Sequence, residues 1–181
     1  MNNPTRKWLV VALSVSLVAL GILLAQNRKM NSLENALRSP LKVGDNVALP
    51  EVITDLNGTK FQFRGLTLLI FFNPDCPSCV NEAPLWNYFF QNHQNRVKVF
   101  GITRAEEKLI RDFVRNTRVT YPIAQDSRGV LFENFRVRKV PTHFLIKDNS
   151  VVLLFTSESP SVQLAEIEEF FRGNQKVSSF E

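Results

Sequence analysis

Cysteine is nearly missing from this 181-residue chain: Cys76 and Cys79 are the only two. That excludes a disulfide-stapled scaffold and a four-cysteine zinc site. Histidine is as scarce, with His93 and His143 alone, so a closed metal site would be short of ligands. No block of one charge exists either. The 22 basic and 17 acidic residues are dispersed, and no basic stripe carries interleaved aromatics, so nucleic acid is not an expected partner. There is no internal repeat and no low-complexity tract. With 44% hydrophobic and 22% charged residues, the chain is neither disordered, nor collagen-like, nor a multi-span membrane protein. One domain of ordinary size with a short appendage accounts for the length.

One long apolar run is present. Eighteen consecutive positions from Trp8 to Ala25 carry no charge, and as a helix rising about 1.5 Å per residue they span about 27 Å, close to a hydrocarbon core. A cleaved signal peptide would have a shorter apolar region followed by a small-x-small site. Leu23 stands two before Ala25, which fits that site poorly, and no cysteine is available there for a lipid. An uncleaved signal anchor is therefore expected, with cleavage as the alternative. Arg6 and Lys7 precede the run while Arg28 and Lys29 follow it, so the positive-inside rule does not orient it. The expected organisation is an anchor over 1–25, a polar stalk over 26–42, a domain over 43–173 and a tail over 174–181.

Within the domain, Val52 to Thr54 and Lys60 to Phe63 flank Asp55-Leu56-Asn57-Gly58 and predict an N-terminal β-hairpin. Leu66 to Phe72 is almost unbroken in apolar character, the pattern of a strand buried on both faces. Helices are predicted over Pro77–Asn92, Ala105–Asn116, Arg128–Phe135 and Pro160–Arg172. Strands are predicted over Val97–Thr103, Tyr121–Ala124, His143–Ile146 and Val151–Phe155. The order β-β-β-α-β-α-β-α-β-β-α implies an α/β domain, a mixed central sheet with helices on both faces.

Cys76-Pro77-Ser78-Cys79 lies between the buried strand and the first helix. Unpaired N–H groups and the positive end of the helix dipole favour a thiolate there, which predicts Cys76 as the exposed nucleophile. Cys79, one turn on and deeper, can attack a mixed disulfide formed by Cys76, so the pair can switch between dithiol and disulfide. Pro77 suits the first helical position. Glu82, three residues beyond Cys79 on the same helical stripe, is a candidate proton relay. Pro84 should kink the helix by leaving the Val80 carbonyl without a donor.

These residues resemble the TlpA-like thioredoxin family of membrane-anchored or exported thiol-disulfide oxidoreductases, the ResA and CcmG types. The resemblance runs from about Val43 to Arg172. It rests on Gly44-Asp45, Ala48-Leu49-Pro50, the Asn57-Gly58 turn, the Leu69–Phe72 strand, the Cys76–Cys79 motif, Glu82 and Pro84. Downstream it continues through Tyr121-Pro122, Asp126, Gly129 and Val140-Pro141-Thr142 followed by Phe144-Leu145-Ile146. It implies a thioredoxin-like fold, with Pro141 as a cis-proline facing the cysteines and Val140 offering backbone hydrogen bonds to substrate. It implies a redox-active Cys76–Cys79 disulfide and an extracytoplasmic domain at a bacterial-type envelope. It also implies reduction of cysteine-containing envelope proteins, such as apocytochrome c or other maturation substrates, with electrons from a membrane donor. A monomer without cofactor or metal is expected.

Three departures from the family pattern stand out. Asn73-Pro74-Asp75 replaces the tryptophan usual before the first cysteine, and Ile70 stands where thioredoxins themselves keep a buried aspartate. Arg136, Arg138 and Lys139 crowd the loop before Pro141. Asp75 and Glu82 disfavour the Cys76 thiolate while the basic loop favours it, and a reductant of modest thiol acidity is expected. The basic loop could also select partners with an acidic surface. Two other readings stay open. A peroxiredoxin-like peroxidase would need Thr at Asn73 and Pro at Leu69. A copper-binding assembly chaperone would use Cys76, Cys79 and His143.

Overall fold

The computed structural model describes residues 17–18, 20–30, 39–156 and 165–170. The chain divides into two compact units, Met1–Ser39 and Pro40–Glu181. In the first, residues 20–30 are helical and exposed. Among the described residues no helix is long and apolar enough to cross a membrane. Most of the anchor expected over 1–25 lies outside the described residues, as do the tail and much of the stalk.

The second unit is built on a five-stranded mixed sheet of order β5-β4-β3-β6-β7. Its strands are β3 (Leu66–Phe71), β4 (Lys98–Thr103), β5 (Ile123–Gln125), β6 (Thr142–Lys147) and β7 (Ser150–Thr156). β3 pairs parallel with β4 and antiparallel with β6; β4 and β5 are parallel, β6 and β7 antiparallel. The parallel pairs need crossovers, and the helices α1 (Pro77–His93) and α2 (Glu107–Thr117) provide them. The antiparallel pair β6–β7 needs only a two-residue turn. Asp148 and Asn149 make it, both in the left-handed region at φ 49° and 69°.

β3 is buried on both faces, as its apolar run predicts. Leu68, Ile70 and Phe72 join a core with Cys79, Ala83, Trp86 and Phe89 of α1 and Ile110 and Phe113 of α2. Leu69 and Phe71 face the opposite core, with Leu131 and Phe132 of α3 (Val130–Asn134), Phe135, and Leu41, Val47 and Ile53 from the N-terminal side. Helices thus lie on both faces, and the thioredoxin-like arrangement expected from the sequence is present.

The hairpin β1 (Val52–Thr54) and β2 (Lys60–Gln62) forms its own small sheet. Its connection is longer than the two-residue Asn-Gly turn. Asp55 carboxylate oxygen Oδ1 accepts the N–H groups of Asn57 and Thr59 at 2.9 and 2.8 Å, closing the loop, while Gly58 supplies the positive φ of 80°. α1 runs to His93 with Pro84 inside it. The core-facing stripe of Cys79, Glu82, Ala83, Trp86 and Phe89 keeps that helix seated on the sheet.

Candidate active site

At the end of β3 the chain leaves the sheet through Asn73-Pro74-Asp75. Asn73 turns it: its side-chain oxygen accepts the Asp75 N–H at 3.2 Å and its carbonyl accepts the Cys76 N–H at 3.0 Å. Cys76 is the extended residue immediately before α1, at φ −83° and ψ 117°, and its carbonyl accepts the Val80 N–H at 3.0 Å. Pro77 occupies the first helical position, where its missing N–H costs no hydrogen bond. No side chain caps this helix start and no acidic residue lies in its first turn. The Cys76 thiol therefore sits at the positive end of the helix dipole.

Cys76 is half-buried, Cys79 is 4% exposed, and both are free thiols. The Cys76 S–H donates to the Val140 carbonyl oxygen, with sulfur and oxygen 3.8 Å apart. The Val140–Pro141 peptide is cis. Just beyond it the Thr142 hydroxyl donates to the Lys139 carbonyl at 2.7 Å, tying the loop to the head of β6.

Below the thiols lies a buried polar cluster. Burial pushes the Cys79 thiol up to about 12, helped by its hydrogen bond with Cys76 and by the charges of Cys76 and Glu82, while a backbone bond from Asn73 offsets part of this. Cys79 is thus a protonated thiol at neutral pH. Burial also raises the Glu82 carboxyl above its ordinary 4.5, against a hydrogen bond from Trp86 that favours the carboxylate. Trp86 Nε1 donates to Glu82 Oε2 at 3.2 Å. The same oxygen stands 3.3 Å from His143 Nε2. His143 is fully buried, its pKa pulled down by burial to about 3, so the ring is neutral. Its ring centroid is 4.4 Å from that of Trp86. Tyr121 closes the cluster; burial first, then the charges of Cys79 and Glu82, raise its hydroxyl above the usual 10.

The fold brings together Cys76, Cys79, Val140 and Pro141, with Glu82 behind them. It takes His143 to Glu82 rather than into a ligand set with the two cysteines. Among the described residues no three His, Cys, Asp or Glu side chains are grouped to hold a metal, so the copper-chaperone alternative has no site there. His93 lies at the far end of α1, stacked on Phe89 at 4.6 Å. Asp75, Arg138 and Lys139 are exposed, and Arg136 is half-buried. Two site residues escaped the sequence reading, Trp86 and Tyr121. Trp86 had a signal, its i+4 spacing from Glu82 on one helix face; Tyr121 had none beyond its place before Pro122.

A half-exposed thiol at a helix start, a buried thiol one turn on, and this fold define a class: a thiol-disulfide oxidoreductase of thioredoxin-like architecture. The chain belongs to the AhpC/TSA family, whose pattern matches residues 46–154. Thiol-disulfide oxidoreductase ResA of Bacillus thuringiensis subsp. konkukian is 29% identical over 122 residues, covering 64% of this chain and 70% of that one. Sporulation thiol-disulfide oxidoreductase A of Bacillus subtilis is 28% identical over 91 residues, covering 48% of this chain and 55% of the relative. The chain therefore spans about half the length of that relative. The crystal structure of StoA from Bacillus subtilis is similar at a TM-score of 0.58 and 26% identity, covering 66% of this chain and 97% of that one.

Proposed function

We propose that this protein is a membrane-tethered reductant of disulfides in envelope proteins, working outside the cytoplasm through the Cys76/Cys79 dithiol. The observation that carries the reading is the pairing of a half-exposed Cys76, against the Val140 carbonyl, with a buried, protonated Cys79 one turn behind it. Only one sulfur is accessible to a protein substrate, and the other is held to displace it.

The chemistry balances in two steps. Cys76 thiolate attacks one sulfur of a substrate disulfide. A Cys76–substrate disulfide forms, the substrate disulfide breaks, and the released thiolate takes up a proton. Cys79 then loses its proton towards Glu82 and attacks Cys76 Sγ. The Cys76–Cys79 disulfide forms, the mixed disulfide breaks, and the second substrate thiol leaves. Val140 holds the substrate backbone beside Pro141 during both steps. Two electrons have passed to the substrate, and a membrane electron donor must restore the dithiol.

The uncharged run from Trp8 to Ala25 supports the tether, and an extracytoplasmic domain acting as a monomer is what the resemblance of the sequence to the TlpA-like family implies. Apocytochrome c or another cofactor-receiving protein fits the substrate class, a protein whose cysteines must be reduced before use. The peroxidase alternative lacks its required residues, since Asn73 stands at the threonine position and Leu69 at the proline position.

Trapping tests the proposal. Cys79→Ser in the full chain should stall on Cys76 as a mixed disulfide with an envelope protein, identified by mass and released by reductant. No trapped partner, together with no exchange of insulin or glutathione disulfide by the parent protein, would falsify the reductase reading.

A further inference from the structure

The His143–Glu82 contact is the least expected part of the site. His143 is wholly buried, yet neither of its ring nitrogens makes a hydrogen bond. Nε2 approaches Glu82 Oε2 to 3.3 Å without the alignment of a hydrogen bond. A buried polar atom without a partner is costly and uncommon, and one beside a reacting centre calls for a functional account. Apolar packing does not supply it, because the ring is fixed against Trp86 at 4.4 Å, the same residue that anchors Glu82 Oε2.

We propose that His143 is a positioning residue for Glu82: the buried imidazole and carboxyl share one proton, and the pair, rather than Glu82 alone, exchanges protons with Cys79. This rests on the dithiol reading above. The surroundings leave few other participants. Cys76, just before α1, and Cys79 and Glu82 within it are the titratable groups on that side, and the segment before β5 contributes Tyr121. β3 presents Ile70 opposite His143, and β7 presents Phe155 on its other side, neither of them titratable. Burial, and no lysine or arginine charge, dominates the environment of Glu82, Cys79 and Tyr121.

Burial disfavours the Glu82 carboxylate, the form that accepts a proton from Cys79. The resting ring is neutral, but a proton passing from the carboxyl to Nε2, 3.3 Å away, makes an adjacent ion pair and not an isolated buried charge. That leaves a carboxylate within the cluster without drawing an ion from water. The carboxylate then takes the Cys79 proton as Cys79 sulfur bonds to Cys76 sulfur and the mixed disulfide breaks. The pair now holds two protons, and one of them neutralises the departing substrate thiolate. Charge and proton counts close with no further reactant. Trp86 and His143 both meet Oε2, so Oε1 is the oxygen left to serve the thiol.

The test follows glutathione disulfide reduction by the pre-reduced full chain across pH 5–9 in the parent, His143→Thr and His143→Gln. Glutamine keeps an N–H near the Nε2 position but cannot carry a proton at these pH values. Both variants should move the acidic limb of the rate upward by about one pH unit. Rates near pH 6 should then fall roughly tenfold and recover at alkaline pH. A parent-like profile in His143→Gln would mean a structural role only and overturn the proposal. Should either variant fail to fold, ¹⁵N NMR of the parent decides. Nε2 and Nδ1 shifts that differ between dithiol and disulfide forms support shared protons. Shifts that are identical in both forms and flat from pH 5 to 9 overturn them. Failure of the dithiol reading looks different, with no exchange by the parent at any pH.

Discussion

Trp86 donates its indole N–H to Glu82 Oε2 from one helical turn further along α1, at 3.2 Å. The bond stabilises the carboxylate and so opposes the effect of burial at Glu82. Removing it in Trp86→Phe keeps an aromatic ring but no donor. Glu82 should then titrate still higher, moving the acidic limb of the exchange rate upward. Stability should fall by about 1–3 kcal/mol, as for a buried acceptor that loses its partner. Urea unfolding of the dithiol form and a pH–rate profile measure both effects. An unchanged profile would show that this bond does not tune Glu82.

The Glu82 neighbourhood also shows where sequence reasoning reached and where it stopped. The two-faced burial of β3, the alternation of strands and helices, and a cysteine pair opening α1 follow from periodicities that are local in the chain. So does Glu82, which shares a helical stripe with Cys79. The hairpin follows too, although the Asp55 carboxylate, by capping Asn57 and Thr59, makes a longer loop than Asn-Gly implies. The contact with His143 is different in kind. It depends on the antiparallel register that sets His143 opposite Ile70, and on α1 crossing that face with Trp86 inward. No spacing within one element encodes such a meeting, so the sequence offers His143 as a strand histidine or as a copper ligand beside the cysteines, and not as a partner of Glu82.

Accessibility separates the two thiols sharply. Cys79 is 4% exposed and its thiol is pushed up to about 12. Brief iodoacetamide treatment of the native dithiol form at pH 8 should therefore place one label per chain, on Cys76, with a second appearing only after denaturation. Peptide mass spectrometry reads the position. Equal labelling of both cysteines in the native protein would contradict the division between a substrate-facing sulfur and one held in reserve.

Glu82 and His143 tilt stability in opposite directions with pH. The folded pKa of Glu82 lies above its ordinary 4.5, so its contribution is present below that value and is lost as pH rises through the folded value. His143 is held down to about 3 from an ordinary 6.5, so its contribution is present above 6.5 and is lost as pH falls towards 3. From 4.5 up to the folded value of Glu82 the slopes oppose, and below 4.5 only that of His143 remains. Each full slope is at most about 1.4 kcal/mol per pH unit. Relative to the parent, His143→Gln should lose the acid-side decline, while Glu82→Gln should gain stability with rising pH above 4.5. Urea midpoints at half-unit steps test this, and parallel curves for all three proteins would refute it.

Charge around the substrate-facing sulfur should govern encounter rather than chemistry. Arg138 and Lys139 are exposed in the loop that delivers Val140 and Pro141, while Glu82 and its partners are buried. Charges at the rim of an interface act mainly on association rate and lose effect as salt rises. The double reversal Arg138→Glu with Lys139→Glu should slow exchange with a trapped envelope partner about tenfold at low salt, with the difference shrinking above roughly 0.3 M salt, where screening lengths fall below about 6 Å. Reduction of the Cys76–Cys79 disulfide by dithiothreitol, an uncharged small dithiol, should stay within about twofold, because that reaction needs no extended complementary surface. Equal slowing with both reagents would move the cause from partner selection to the Cys76 thiol itself, since a change in thiolate fraction affects every exchange reaction alike.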